Sequence, residues 1–197
     1  LILDTSRSMF RKDYQPNRLE ACKNALLKFV ESRFENDSSV GGSTAFALIV
    51  FDSRARKLID FPDGARYEQI REALDKEVKC GGKSSLGDGI GKAIKLLIED
   101  IRSAGARIPR LLIFSDGKFT KSKVDPLKMA NLAKQLQMHI DTFRIGEVEH
   151  FNVMKRLSDI TEGKYTYSNN SQNFLESAEE MGYSNIEAHG AAYVKKG

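Results

Sequence analysis

Apolar residues along this chain switch repeatedly between a strand-like and a helix-like spacing. Residues 1–3 read as a short apolar strand end. Over residues 17–35, Leu19, Cys22, Leu26, Phe29, Val30 and Phe34 fall close to one stripe, which predicts a helix. Its start is marked twice. Pro16 cannot extend a helix backward, and Asn17 with Glu20 three residues on makes a capping-box-like pair. Residues 44–51 are a near-continuous apolar run, as expected of a strand covered on both faces. Residues 57–61 are its predicted hairpin partner, across a turn at 52–56.

Helical spacing returns at 67–78, where Ile70, Leu74 and Val78 lie four residues apart, before a turn at Gly81 and Gly82. Residues 87–104 place Ile90, Ala93, Ile94, Leu97, Ile98 and Ile101 on one face of a third helix. Leu111, Leu112, Ile113 and Phe114 make 110–115 a buried strand. Asp125 then caps a helix whose first-turn Pro126 needs no amide partner, with Leu127, Ala130, Ala133 and Leu136 facing inward. A strand at 139–145, a helix at 151–160, a strand at 164–168 and a helix at 171–181 complete the series. Tyr165 and Tyr167 alternate on the last strand as half-buried structural residues, and Cys22 reads as packing. Strands alternating with helices imply an α/β fold: a doubly wound, mostly parallel six-stranded sheet with one antiparallel edge strand and helices on both faces. Residues 1–184 are expected to form one domain. Residues 185–197, rich in small and basic types, read as a tail or remnant.

Composition narrows the function. At 197 residues with 41% hydrophobic and 29% charged, the chain carries a real core, and a disordered reading fails. No run approaches the roughly 20 apolar residues that span a bilayer, so no membrane segment is expected. The chain opens at Leu1 without Met and meets Asp4 almost at once, which reads as a fragment or processed product. The net charge of +4 permits an acidic partner without demanding nucleic acid, and the basic residues are not interleaved with stacking aromatics. Cys22 and Cys80 cannot make a disulfide scaffold, and three histidines without metal spacing argue against zinc. Cysteine use leans toward a reducing, cytoplasmic setting and leaves the location open. Cys80 has no histidine near it in sequence and reads as a bystander.

Three loops carry the candidate chemistry, and each lies beside the carboxyl end of a predicted strand, where open α/β sheets bind ligands. Asp4-Thr5-Ser6-Arg7-Ser8 follows strand one, Gly81 to Gly89 precedes helix three, and Ser115-Asp116-Gly117 follows a buried strand. Together they offer two carboxylates and several hydroxyls, all oxygen, which suits Mg²⁺ or Mn²⁺. Taken singly, each motif is an ordinary turn or helix cap. Taken together and in order, they point to a metal site. Other chemistries fit less well. A phosphate-binding loop ending in Gly82-Lys83-Ser84 would need glycine where Glu77 stands. A D-x-D phosphatase would need aspartate where Ser6 stands, and no G-x-S-x-G elbow exists.

This arrangement resembles a von Willebrand factor type A (VWA) domain with its metal-ion-dependent adhesion site, over residue 1 to about residue 182. The resemblance implies Asp4, Ser6 and Ser8 as first-loop ligands, Ser84 where the family usually has threonine, and Asp116 as the third-loop carboxylate. It implies Mg²⁺ (or Mn²⁺) as the cofactor and a protein partner that offers a Glu or Asp to the metal's open position. Asp4 and Asp116 together balance a divalent ion, so an ion held through water at Asp116 stays electrophilic. The run Pro16-Asn17-Arg18-Leu19 is similar to intracellular VWA proteins, such as the ubiquitin receptor of the proteasome and the VWA subunit of TFIIH. Arg7, Arg11, Lys12, Lys83, Lys118, Lys121 and Lys123 flank the loops and would form a basic collar that steers an acidic partner. The leading expectation is a non-enzymatic, metal-dependent protein-interaction domain in a larger complex. Two alternatives stay open: a metal-independent scaffold docking through its helical faces, and a metal-dependent hydrolase whose nearest general base is Asp88.

Overall fold

The computed structural model describes residues 1–41, 43–79, 81–104, 108–118, 124–147 and 152–184. Among these residues six strands make one sheet: β1 (Ile2–Asp4), β2 (Leu48–Phe51), β3 (Ala55–Ile59), β4 (Arg110–Ser115), β5 (His139–Ile145) and β6 (Tyr165–Ser168), in the spatial order β3-β2-β1-β4-β5-β6. Five strands run parallel and the edge strand β3 is antiparallel. Among the described residues six α-helices cover it: α1 (Arg18–Val40), α2 (Tyr67–Glu77), α3 (Leu86–Ala104), α4 (Pro126–Gln135), α5 (Val153–Thr161) and α6 (Ser171–Tyr183).

Successive strand side chains point to opposite faces, so one sheet feeds two cores. Leu3, Leu48, Val50, Leu112, Phe114 and Phe143 pack under α1, α2 and α6. Ile2, Ile49, Phe51, Leu111, Ile113 and Ile140 pack under α3, α4 and α5. This is why β2 and the middle of β4 read as unbroken apolar runs: neither face meets water there. Phe114 and Phe143 stack 4.8 Å apart, with Phe174 of α6 edge-on to both. Cys22 is fully buried on the inner face of α1, and burial pushes its thiol well above the usual range.

The helix caps match the chain's local signals. Asn17 Oδ1 accepts from the Glu20 amide at 2.9 Å, and Asp125 Oδ1 accepts from the Leu127 amide at 2.9 Å with Pro126 at the first helical position. At its other end α1 is held to α6. Arg33 Nη2 donates to the carbonyls of Met181 (3.2 Å) and Ser184 (2.6 Å). A Cβ at Gly182 would lie 2.5 Å from Ser32 Cβ, so α6 seats against α1 where it has no side chain.

Several expectations need correction. β2 begins at Leu48 rather than at residue 44, and the Leu1 amine donates to Ala47 O (2.8 Å) just before it. β3 starts at Ala55, since the turn is closed early by Asp52 N to Arg54 O (3.3 Å) and by the Asp52 side chain on Arg54 N (3.1 Å). Leu136 lies past the end of α4 and is exposed, not inward. Tyr165 is half-buried as expected, whereas Tyr167, further along the edge strand β6, is exposed. Cys80, Lys121, Lys123 and the tail 185–197 lie outside the described residues.

From β1 the chain moves outward to β2 and β3, then returns to place β4 on the other side of β1. The switch point between β1 and β4 leaves a crevice at their carboxyl ends, where connections depart in opposite directions. Asp4 and Asp116 stand at the two sides of it.

Candidate metal centre

Asp4 is the last residue of β1. Its Oδ1 accepts from the Ser6 amide at 2.8 Å, a local turn that carries the chain into a 3-10 turn, Arg7–Phe10, with Met9 buried beneath. The Ser6 and Ser8 hydroxyls lie 3.2 Å apart. The second loop is tied to the first through backbone bonds, Gly81 N to Thr5 O (2.9 Å) and Arg7 N to Gly82 O (3.2 Å). These ties bring Ser84 to Asp4, whose Oδ2 accepts from Ser84 Oγ at 3.3 Å. The same oxygen accepts from Ser115 Oγ at 2.6 Å, and Ser115 Oγ in turn accepts from the Gly117 amide at 3.0 Å. Asp116 follows, with Oδ1 accepting from Lys118 N (2.9 Å) and Oδ2 from Arg18 Nη1 (2.8 Å). The residues singled out from sequence, Asp4, Ser6, Ser8, Ser84 and Asp116, thus gather at one rim of the sheet.

The electrostatics are set by burial. Asp4 and Asp116 are both 0% exposed. Burial first, and the charge of Asp116 second, push the Asp4 carboxyl up to about 7, and the hydrogen bonds from Ser115 and Ser6 offset only part of this. Among the described residues no Lys, Arg or His pairs with Asp4. A buried carboxylate with hydroxyl and amide partners, beside a second carboxylate, has the donor chemistry of a hard divalent cation site. Among the described residues no group of three His, Cys, Asp or Glu side chains gathers to hold a metal. An ion here would therefore depend on the serine hydroxyls.

Two residues of the site escaped the sequence reading. Ser115 was visible only as the first letter of a turn, yet it bridges Asp4 to the third loop. Arg18 was visible only as part of the signature at the head of α1. It is 1% exposed and pairs with both Asp116 and Asp13. Its guanidinium lies against Gly146 at the end of β5, where a Cβ would come within 2.5 Å of Arg18 Cζ. The simple balance of two carboxylates against a divalent ion is thereby changed, because Asp116 already has a cationic partner. Asp88 sits half-buried in the first turn of α3. Arg7, Arg11, Lys12 and Lys83 are exposed around the rim and Lys118 is half-buried.

Comparison with known proteins bears on this architecture. The von Willebrand factor type A domain family matches residues 1–118, and the chain belongs to that family. A UPF0353 protein of Mycobacterium avium is 30% identical over 127 residues, covering 61% of this chain and 34% of the relative, so the chain spans about a third of that protein's length. The crystal structure of the SpRpn10 VWA domain superposes with a TM-score of 0.73 at 17% identity, covering 94% of this chain and 96% of that one. Proximal thread matrix protein 1 from the mussel byssus, in a structure with a zinc-occupied MIDAS motif, gives 0.68 at 18% identity, covering 92% and 43%. At these identities the likeness to the solved structures is one of fold. VWA domains are generally protein-interaction modules. Among the described residues no helix is long and apolar enough to cross a membrane.

Proposed function

We propose that residues 1–184 form a non-enzymatic protein-interaction domain that works through a divalent ion, Mg²⁺ or Mn²⁺, within a larger complex. Asp4, Ser6, Ser8, Ser84 and Asp116 would hold the ion, the carboxylates supplying charge and the serines neutral oxygen. A bound ion would supply an open coordination position to a Glu or Asp of the partner. The observation that carries the reading is Asp4: a carboxylate with no cationic partner among the described residues, fully buried beside a second carboxylate. Arg7, Arg11, Lys12 and Lys83 around the rim favour an acidic partner over a basic one. The zinc-occupied site of the mussel protein and the fold shared with the SpRpn10 domain support the same reading by analogy.

Isothermal titration with Mn²⁺ tests it. One ion per chain should bind wild type and none should bind Asp4→Ala, with the circular dichroism of the two proteins alike. Equal binding by both, or by neither, would end the metal reading and return the helical faces as the docking surface.

A further inference from the structure

Arg18 is a buried charged group of the rim to which the metal reading gives no role. A guanidinium that is 1% exposed is costly to desolvate and persists only where its partners hold it. Its nitrogens are divided between two carboxylates. Nη1 donates to Asp116 Oδ2 at 2.8 Å, and Nε donates to Asp13 Oδ1 and Oδ2 at 2.8 and 3.1 Å, with Nη2 also on Asp13 Oδ2. The two partners differ in setting: Asp116 is 0% exposed and Asp13 is 41% exposed. Asp116 is shut off from bulk solvent, whereas Asp13 is screened by it.

We infer that Arg18 is the resident counter-ion of the metal site, neutralising Asp116 so that a bound divalent ion is left under-neutralised and open to an outside carboxylate. The inference rests on the reading of this rim as a metal centre and assigns the origin of the ion's residual charge. Asp4 contributes −1, and the −1 of Asp116 is offset by the +1 of Arg18. With Asp13 screened by solvent, a divalent cation held there keeps up to +1, the charge that one Asp or Glu from a partner would cancel. Asp13 tunes this balance, because the more it draws on the guanidinium, the less Asp116 is neutralised. Arg18 is thus a positioning residue that acts through Asp116.

The test is Mn²⁺ titration of the full chain as wild type, Arg18→Gln, Arg18→Lys, Asp13→Asn and the double variant Arg18→Gln/Asp13→Asn. Arg18→Gln should bind Mn²⁺ at least about tenfold tighter, since it removes a cation close to the site. Arg18→Lys should stay within about threefold of wild type. Asp13→Asn, which leaves Arg18 wholly to Asp116, should bind about threefold weaker. In the double variant that weakening should vanish, because Asp13 acts through Arg18. A purely structural tie would lower the stability of the variants without moving Mn²⁺ affinity in opposite directions. Unchanged or weaker binding by Arg18→Gln overturns the inference while the metal reading stands on the wild-type and Asp4→Ala titrations. Should Arg18→Gln not fold by circular dichroism, Asp13→Asn decides alone, and wild-type affinity there overturns it.

Discussion

Two aspartates lie buried at opposite ends of the same sheet, and they are treated differently. Asp141, near the start of β5, is 2% exposed and receives a fork of two bonds from Arg110, both 2.7 Å, plus the Lys164 amide at 2.8 Å. Asp4, at the end of β1, is 0% exposed and receives two hydroxyls and an amide. The first carboxylate is closed: charge and lone pairs are met by groups of the chain itself. The second has hydrogen bonds without a countercharge, and its affinity for a proton rises accordingly. The difference separates a carboxylate that holds the fold together from one whose charge no cationic group among the described residues matches, which is what the proposed metal reading draws on.

The largest test of this contrast is Arg110→Ala. It strands Asp141 in the interior and should cost about 3 kcal/mol in urea denaturation. A loss under 1 kcal/mol (roughly one surface pair's worth) would show that Asp141 is not held as a buried ion. Asp4→Asn should do the reverse. In chelator at pH 8 it should be more stable than wild type by roughly 1–2 kcal/mol, since it removes a buried charge without a partner. The pH dependence has a definite sign. The folded value of about 7 lies above the ordinary 3.8, so between them the folded chain keeps a proton that the unfolded chain has lost. Stability from this group is therefore present at low pH and falls as pH rises toward 7. The stability difference between Asp4→Asn and wild type should widen from pH 4 to pH 8 without metal. A constant difference would mean that Asp4 titrates normally. Smallest of all is Ser84→Thr, which keeps the oxygen and adds a methyl that restricts its rotamer. Mn²⁺ affinity should change by less than about threefold, and a larger loss would mark that hydroxyl as more finely placed than its 3.3 Å bond to Asp4 indicates.

Much of the architecture was legible in the chain because it is written in local periods. Two-sided burial leaves Leu48–Phe51 and residues 111–114 unbroken in apolar character, and the caps Asn17 and Asp125 need only their own next few residues. What could not be read depends on chain segments far apart in sequence. Arg18 stands at the first helical position of α1, where a charged side chain ordinarily meets water. Only closure of the sheet brings Asp116, 98 residues away, and the bare backbone of Gly146 around it. The candidate ligands were legible as a set because their order along the chain follows the switch point. Ser115 was missed because a serine in a turn carries no mark of what it bridges.

The seating of α6 on α1 has a mechanical consequence. The bare Cα of Gly182 fits against Ser32 like a pawl in a notch, and Arg33 latches the carbonyls of Met181 and Ser184 just beside it. Sliding α6 by a residue would drive a side chain into that notch and unfasten both carbonyls together. The last helix therefore has a detent: it holds its station or jumps from it, and a gradual drift along α1 is not open to it.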